Sequence, residues 1–187
     1  ATGQWKPDAP VRKREVLSYG AIILTVRPVE AEPGECAEFV CKRVREQSLE
    51  ALPWTDSARQ FLARAAFASK GGHIEQDPDV KTLVSSLESW LTPFLGSDGT
   101  ITGDAFLSAL RWYLEGPRVD SLVPARISLP GGITRALVYD TLDPEEGPIP
   151  ILETRVQDLY GLSSHPSVLG VPVLIRMLSP ARRPIHV

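Results

Sequence analysis

Arg126, Arg135, Arg176, Arg182 and Arg183 are the residues of this chain best suited to act on another molecule. A guanidinium carries a permanent charge and a planar fork of donors, so it grips phosphate oxygens in pairs. Such contacts ignore base sequence and weaken steeply with salt. Arg182 and Arg183 stand between Pro180 and Pro184, Arg176 lies on the apolar run before them, and Arg126 and Arg135 flank Pro130-Gly131-Gly132. The competing use of these side chains is in ion pairs, for which Glu153 and Asp158 are available to Arg176 and Arg183.

Catalytic chemistry has weaker candidates. Ser163 or Ser164 with His165 and Asp158 names the parts of a hydrolytic triad, but nothing supplies the strained turn that exposes a nucleophile. His165 before Pro166 reads as a turn residue. His73 and His186 are scattered, so no metal site is expected. A phosphate-binding loop needs a glycine-rich turn ending in Gly-Lys-Ser/Thr, and the chain contains no Gly-Lys pair. We therefore expect no nucleotide hydrolysis, no catalytic residue and no cofactor in this chain. Trp54 and Trp90 fall where packing explains them, whereas Trp112 adjoins an apolar stripe and reads as half exposed; stacking on a base is the alternative use of all three.

The elements that must position these residues follow from patterning. A chain of 187 residues with 43% hydrophobic and 23% charged residues is that of a soluble globular protein. No apolar run approaches the roughly 18 residues of a membrane span. The net charge of −3 conceals an asymmetry, because residues 159–187 hold +3 and the remainder −6. Cys36 and Cys41, five apart on a helical pattern, suggest neither disulfide nor zinc, and a reducing cytoplasmic setting is expected.

From the N-terminus, Val11 to Pro28 begins basic and turns apolar around Tyr19 to Val26, interrupted by Gly20, as two short strands or one bulged strand. After the linker Glu30 to Gly34, Cys36, Phe39, Val40 and Val44 keep helical spacing. Thr55 or Asp56 can cap a second helix with Ala58, Phe61, Leu62, Ala65 and Ala66 on one face, ended by Gly71-Gly72. Val80 to Leu95 keeps the period for four turns, with Pro93 bending or ending it. Asp104 is placed to cap a fourth helix through Leu114, before Gly116-Pro117. The period then changes to two. Arg126 to Leu129 and Ile133 to Asp140 make a hairpin, Pro150 to Thr154 a third strand, Arg155 to Tyr160 a short helix stopped by Gly161, and Val171 to Leu178 a last strand. The fold class expected is α+β: a four-helix bundle-like N-terminal part, then a small antiparallel sheet with one short helix. Residues 1–30 would be a strand pair or linker, 31–122 helical and 123–187 β-rich, with 31–187 as one domain.

Three stretches, in order, resemble the C-terminal region of HrpB-type DEAH-box helicases. They are Tyr19-Gly20-Ala21-Ile22-Ile23-Leu24-Thr25-Val26-Arg27-Pro28, then Leu52-Pro53-Trp54-Thr55-Asp56-Ser57-Ala58-Arg59, then the tract from Ile151. In the last, Val156, Asp158, Leu159, Tyr160 and Gly161 match a V-x-[DE]-L-[FY]-G pattern, and Met177-Leu178-Ser179-Pro180-Ala181-Arg182-Arg183-Pro184 matches an L-L-S-P-x-R-R-P tail. The resemblance implies a non-catalytic accessory region whose parent is an ATP-dependent RNA helicase, with ATP and magnesium held by an upstream core. It implies partners too: that core on the same polypeptide, and single-stranded RNA or another protein. A pure interaction scaffold that binds no nucleic acid is the alternative. The strands before Glu30 would be the residual closing strands of an oligonucleotide-binding barrel, and Arg12-Lys13-Arg14 would line its RNA path or be a solvated linker. Two features depart from the family: the loop Asp143 to Pro148 is longer and more acidic, and the aromatic, basic tail that follows Arg-Arg-Pro is not present.

Overall fold

The computed structural model describes residues 5–19 and 21–178. Ser179 to Val187, with Arg182, Arg183 and the whole Ser-Pro-x-Arg-Arg-Pro segment, lie outside the described residues. The chain forms two compact units, one from residues up to 58 together with 80–112, the other from 59–79 together with 113 onward.

In the first unit, β1 (Lys13–Tyr19) and β2 (Ile22–Val29) pair antiparallel, with a register shift between Leu17 and Ser18. Among the described residues they pair only with each other. Helix α1 (Pro33–Gln47) opens with proline at its first position, and the Glu35 carboxylate accepts the Glu32 N–H at 3.2 Å. Its buried stripe is Cys36, Val40, Cys41 and Val44. Phe39, expected inward, sits at the surface with the Arg43 guanidinium 5.1 Å over its ring. At about 100° per residue Phe39 falls on the far side of Cys36 from Val40 and Val44, which set the stripe.

The long helix expected over Val80 to Leu95 is broken into α3 (Val80–Ser85), α4 (Leu87–Trp90) and a 3₁₀ turn at Thr92–Phe94. The cause is local: the hydroxyls of Ser85 and Ser86 both donate to the Thr82 carbonyl, at 2.9 and 2.7 Å, competing with the helical ladder. The Trp90 indole N–H spans the break to the Leu83 carbonyl at 2.9 Å. Helix α5 (Gly103–Tyr113) is capped by Thr102 rather than Asp104, because Thr102 Oγ1 accepts the Ala105 N–H at 3.2 Å. Trp90, Phe106 and Leu110 are fully buried, and Trp54 meets Phe106 edge-on at 4.8 Å with 85° between rings.

The second unit holds α2 (Asp56–Lys70) from Arg59 onward and α6 (Gly116–Leu122). Gly116-Pro117, read as a breaker, also starts α6: Glu115 takes φ 53 and Pro117 fills the first turn. The helices expected to form one bundle are thus apportioned to two units.

Six short strands complete this unit. They are β3 (Arg126–Leu129), β4 (Ile133–Thr141), β5 (Pro148–Arg155), β6 (Ser167–Val168), β7 (Val171–Pro172) and β8 (Leu174–Leu178). The main sheet has the order β3-β4-β5-β8. The hairpin β3–β4 pairs Arg126 with Ala136 and Leu129 with Ile133, and β4 pairs antiparallel with β5. The sheet is mixed rather than antiparallel, since β8 runs parallel to β5 with Ile151 beside Leu174. Parallel neighbours need a long crossover, and residues 156–173 supply it. Within it, the expected helix is one 3₁₀ turn, Val156–Leu159, and the expected strand from Val171 is divided at Val173. Burial alternates along β4 from Arg135 and along β5 from Leu152, with Leu137, Tyr139, Leu152 and Thr154 buried and Ala136, Val138, Glu153 and Arg155 exposed; Ile151, on the same side of β5 as Glu153, is buried as well.

Candidate nucleic-acid interface

Strand register decides which of the candidate arginines act together. Arg126 lies opposite Ala136 and Arg135 opposite Ile127. Successive side chains leave opposite faces of a sheet, so Arg126 and Arg135 are on different faces. Arg135 belongs to the core-facing side, with Leu137 and Tyr139. Arg126 belongs to the solvent side. Continuing the β4–β5 register one step past Leu137 and Leu152 places Glu153 beside Ala136, and Glu153 is in turn beside Arg176. Arg126, Ala136, Glu153 and Arg176 therefore form one row across four strands.

On the core side, Arg135 is committed to structure. Its Nε and Nη2 both donate to Asp158 Oδ2, at 3.1 and 2.9 Å, and the Thr154 hydroxyl donates to the same oxygen at 2.8 Å. The Arg135 bonds, and after them the Thr154 bond, hold the Asp158 carboxyl below the ordinary aspartate range. This converging set fastens the 3₁₀ turn to the hairpin. Gly161 ends the motif at φ 87, where a side chain would be strained. The motif's aromatic has no comparable structural duty: Tyr160 is 71% exposed.

On the solvent side, Arg176 meets Glu153 at 3.4 Å, with both side chains near half exposed. Arg126 and Arg155 are exposed, and among the described residues neither has a carboxylate within ion-pair distance. Arg155 was not among the arginines singled out from sequence, where it opens an expected helix. The alternation Leu152, Glu153, Thr154, Arg155 was the signal that it instead ends a strand on the same side as Glu153.

The catalytic parts do not assemble. His165 Nε2 lies 2.9 Å from the Val173 carbonyl, a bond that needs the proton on that nitrogen, and Asp158 is engaged by Arg135 and Thr154. Trp90 is buried, Trp54 gives its indole N–H to the Leu49 carbonyl at 2.8 Å, and Trp112 is 62% exposed beside Phe94. Both cysteines are free and buried, and burial pushes their thiols above the ordinary range.

Residues 90–187, just over half of the chain, match the family model described as ATP-dependent helicase C-terminal, HrpB_C. The chain belongs to the HrpB C-terminal family. The ATP-dependent RNA helicase HrpB of Escherichia coli strain K12 is 29% identical over 184 residues, a match covering 91% of this chain and 22% of that protein. The crystal structure of the E. coli DExH-box NTPase HrpB superposes with a TM-score of 0.71 at 27% identity, over 92% of this chain and 22% of that one. A second crystal structure, of the E. coli DEAH/RHA helicase HrpB, has the same TM-score at 25% identity and covers 93% and 23%. This HrpB C-terminal region thus spans about a fifth of the length of the relatives it matches.

Proposed function

We propose that this chain is the non-catalytic accessory C-terminal region of an ATP-dependent RNA helicase, and that it docks on the preceding part of the same polypeptide through the β1–β2 hairpin. One observation carries the reading. Val16, Leu17, Tyr19, Ile22, Ile23, Leu24, Val26 and Val29 are 40–80% exposed, on both faces of a two-stranded sheet. An isolated hairpin is at best marginal in water, and apolar surface of this extent marks a contact. The relatives carry several times more chain, and the occupant proposed is the barrel whose closing strands these two would be. The Lys13–Glu35 ion pair, at 2.6 Å, joins β1 to α1. The absence of a Gly-Lys pair supports the non-catalytic part of the reading.

The test is to express the preceding segment of the parent helicase as a separate polypeptide and titrate it with this chain by calorimetry. A one-to-one complex is expected, lost in Ile22→Asp/Leu24→Asp and kept in Leu174→Asp. A hairpin variant that binds like the unaltered chain would sink the docking surface. Self-association of the chain through the hairpin, seen by ultracentrifugation at the concentrations of the titration, would favour a scaffold instead. ATP hydrolysis in the presence of magnesium should not exceed the blank.

A further inference from the structure

We infer that the solvent face of the β3-β4-β5-β8 sheet binds the phosphate backbone of a single nucleic-acid strand through Arg126, Arg155 and Arg176, with Glu153 as the built-in competitor. This face belongs to the second unit, whereas the hairpin belongs to the first.

Four features of the face point the same way. Arg126 and Arg176 end one cross-strand row, three strand spacings apart, which is about 14 Å at ~4.8 Å per spacing and so accommodates a few nucleotides. Arg155 lies two residues along β5 from Glu153, on the same side of the sheet, opposite Leu178. Ala136, between Arg126 and Glu153, is too short to obstruct a backbone laid across the row. In the neighbouring row Val138 and Leu174 are exposed aliphatics on either side of the buried Ile151, and sugar and base edges can rest against these two. Three guanidiniums on one side of the sheet suit a polyanion, because each presents paired donors to phosphate oxygens.

Glu153 gives the site a sign that a merely structural arginine cluster lacks. Its pair with Arg176 is long and half exposed, the kind of surface pair worth little, so a phosphate can replace it. Removing the carboxylate should strengthen binding, whereas in a structural cluster it would strand Arg176 and strengthen nothing. An acidic protein partner would use the same charges, but the two row-end arginines stand about 14 Å apart with Arg155 beside the row, a spacing that the phosphates of one strand can match.

The experiment is fluorescence anisotropy of the 187-residue chain with labelled 12-nucleotide uridine RNA and thymidine DNA, across about 50–200 mM salt. Three phosphate contacts on a single strand predict a log–log slope near −2 and so roughly a 20-fold loss of affinity over that range. Arg126→Gln/Arg155→Gln should reduce the slope to about −0.7 and weaken low-salt binding at least roughly tenfold. Glu153→Gln should tighten binding about two- to fivefold. Lys6→Gln/Lys42→Gln removes the same charge elsewhere and should change affinity less than about twofold. RNA and DNA should bind alike, since the contacts are to phosphate. No binding at low salt, equal losses in the two double variants, or a Glu153→Gln variant that fails to tighten would each overturn the proposal. Circular dichroism of every variant confirms that these surface changes leave the fold in place.

Discussion

Asp158 concentrates three hydrogen bonds on one oxygen, and its effect reaches further than its size. Thr154 and Arg135 approach it from two strands, so the carboxylate connects β4, β5 and the crossover turn. Its folded pKa is depressed, so this stabilisation is present above the unfolded value of 3.8 and lost as pH falls through the lower folded value. Asp158→Asn should therefore melt at a lower temperature than the unaltered chain at pH 7, and the two melting curves should converge as pH falls through the depressed folded value. A difference that persisted at acid pH would mean that the carboxylate acts through shape rather than charge. Sequence pattern pointed to Asp158 as part of a motif, and Glu153 and Asp158 were the carboxylates expected to hold arginines. The partner was not legible: Arg135 is 23 residues away, and only strand register brings it close.

At the scale of elements, the edge of β4 shows a side chain taking the place of a strand. Beyond the four residues paired with β3, the Gln60 carboxamide on α2 accepts the Tyr139 N–H at 2.9 Å and donates to the Tyr139 carbonyl at 3.3 Å. Both backbone groups would otherwise be unpaired where β3 stops. Gln60→Ala should cost about 1–3 kcal/mol in urea unfolding and speed hydrogen exchange at the Tyr139 amide. A change under roughly 0.5 kcal/mol would show that water replaces the amide without loss. The hairpin over 126–140 was readable because alternation and Pro130-Gly131-Gly132 are local signals. The parallel placement of β8 was not, because an alternating strand looks the same beside either kind of neighbour. The break at Ser86 escaped for a related reason: the apolar period continues across it, while two serine hydroxyls decide the backbone.

For the whole molecule, Tyr139 makes the second unit sensitive to alkali. Its hydroxyl donates to the Pro124 carbonyl at 2.9 Å, its ring packs 5.7 Å from Phe67, and burial pushes its phenol up to about 12. The neutral form is favoured in the folded state, so its contribution is complete below the unfolded value of 10.0 and declines as pH rises toward about 12. Denaturation followed at pH 9 and pH 11.5 should show a loss at the higher pH that Tyr139→Phe reduces, and equal losses in the two proteins would place the sensitive group elsewhere. The division into two units, each assembled from separated stretches, had no signature in composition or periodicity. Its surfaces were partly readable, since the exposed residues of β1 and β2 are the apolar tract recognised at once as strand-forming. The parallel β5–β8 pair also has a consequence in time. Synthesis proceeds from the N-terminus at roughly 5–20 residues per second, so β5 emerges about 1–4 s before the crossover is complete and β8 can follow. During that interval β3, β4 and β5 can already be joined while the outer edge of β5 has no neighbour. A nascent chain therefore passes through a stage with one adhesive border, and any slowing of translation between residues 156 and 173 prolongs it.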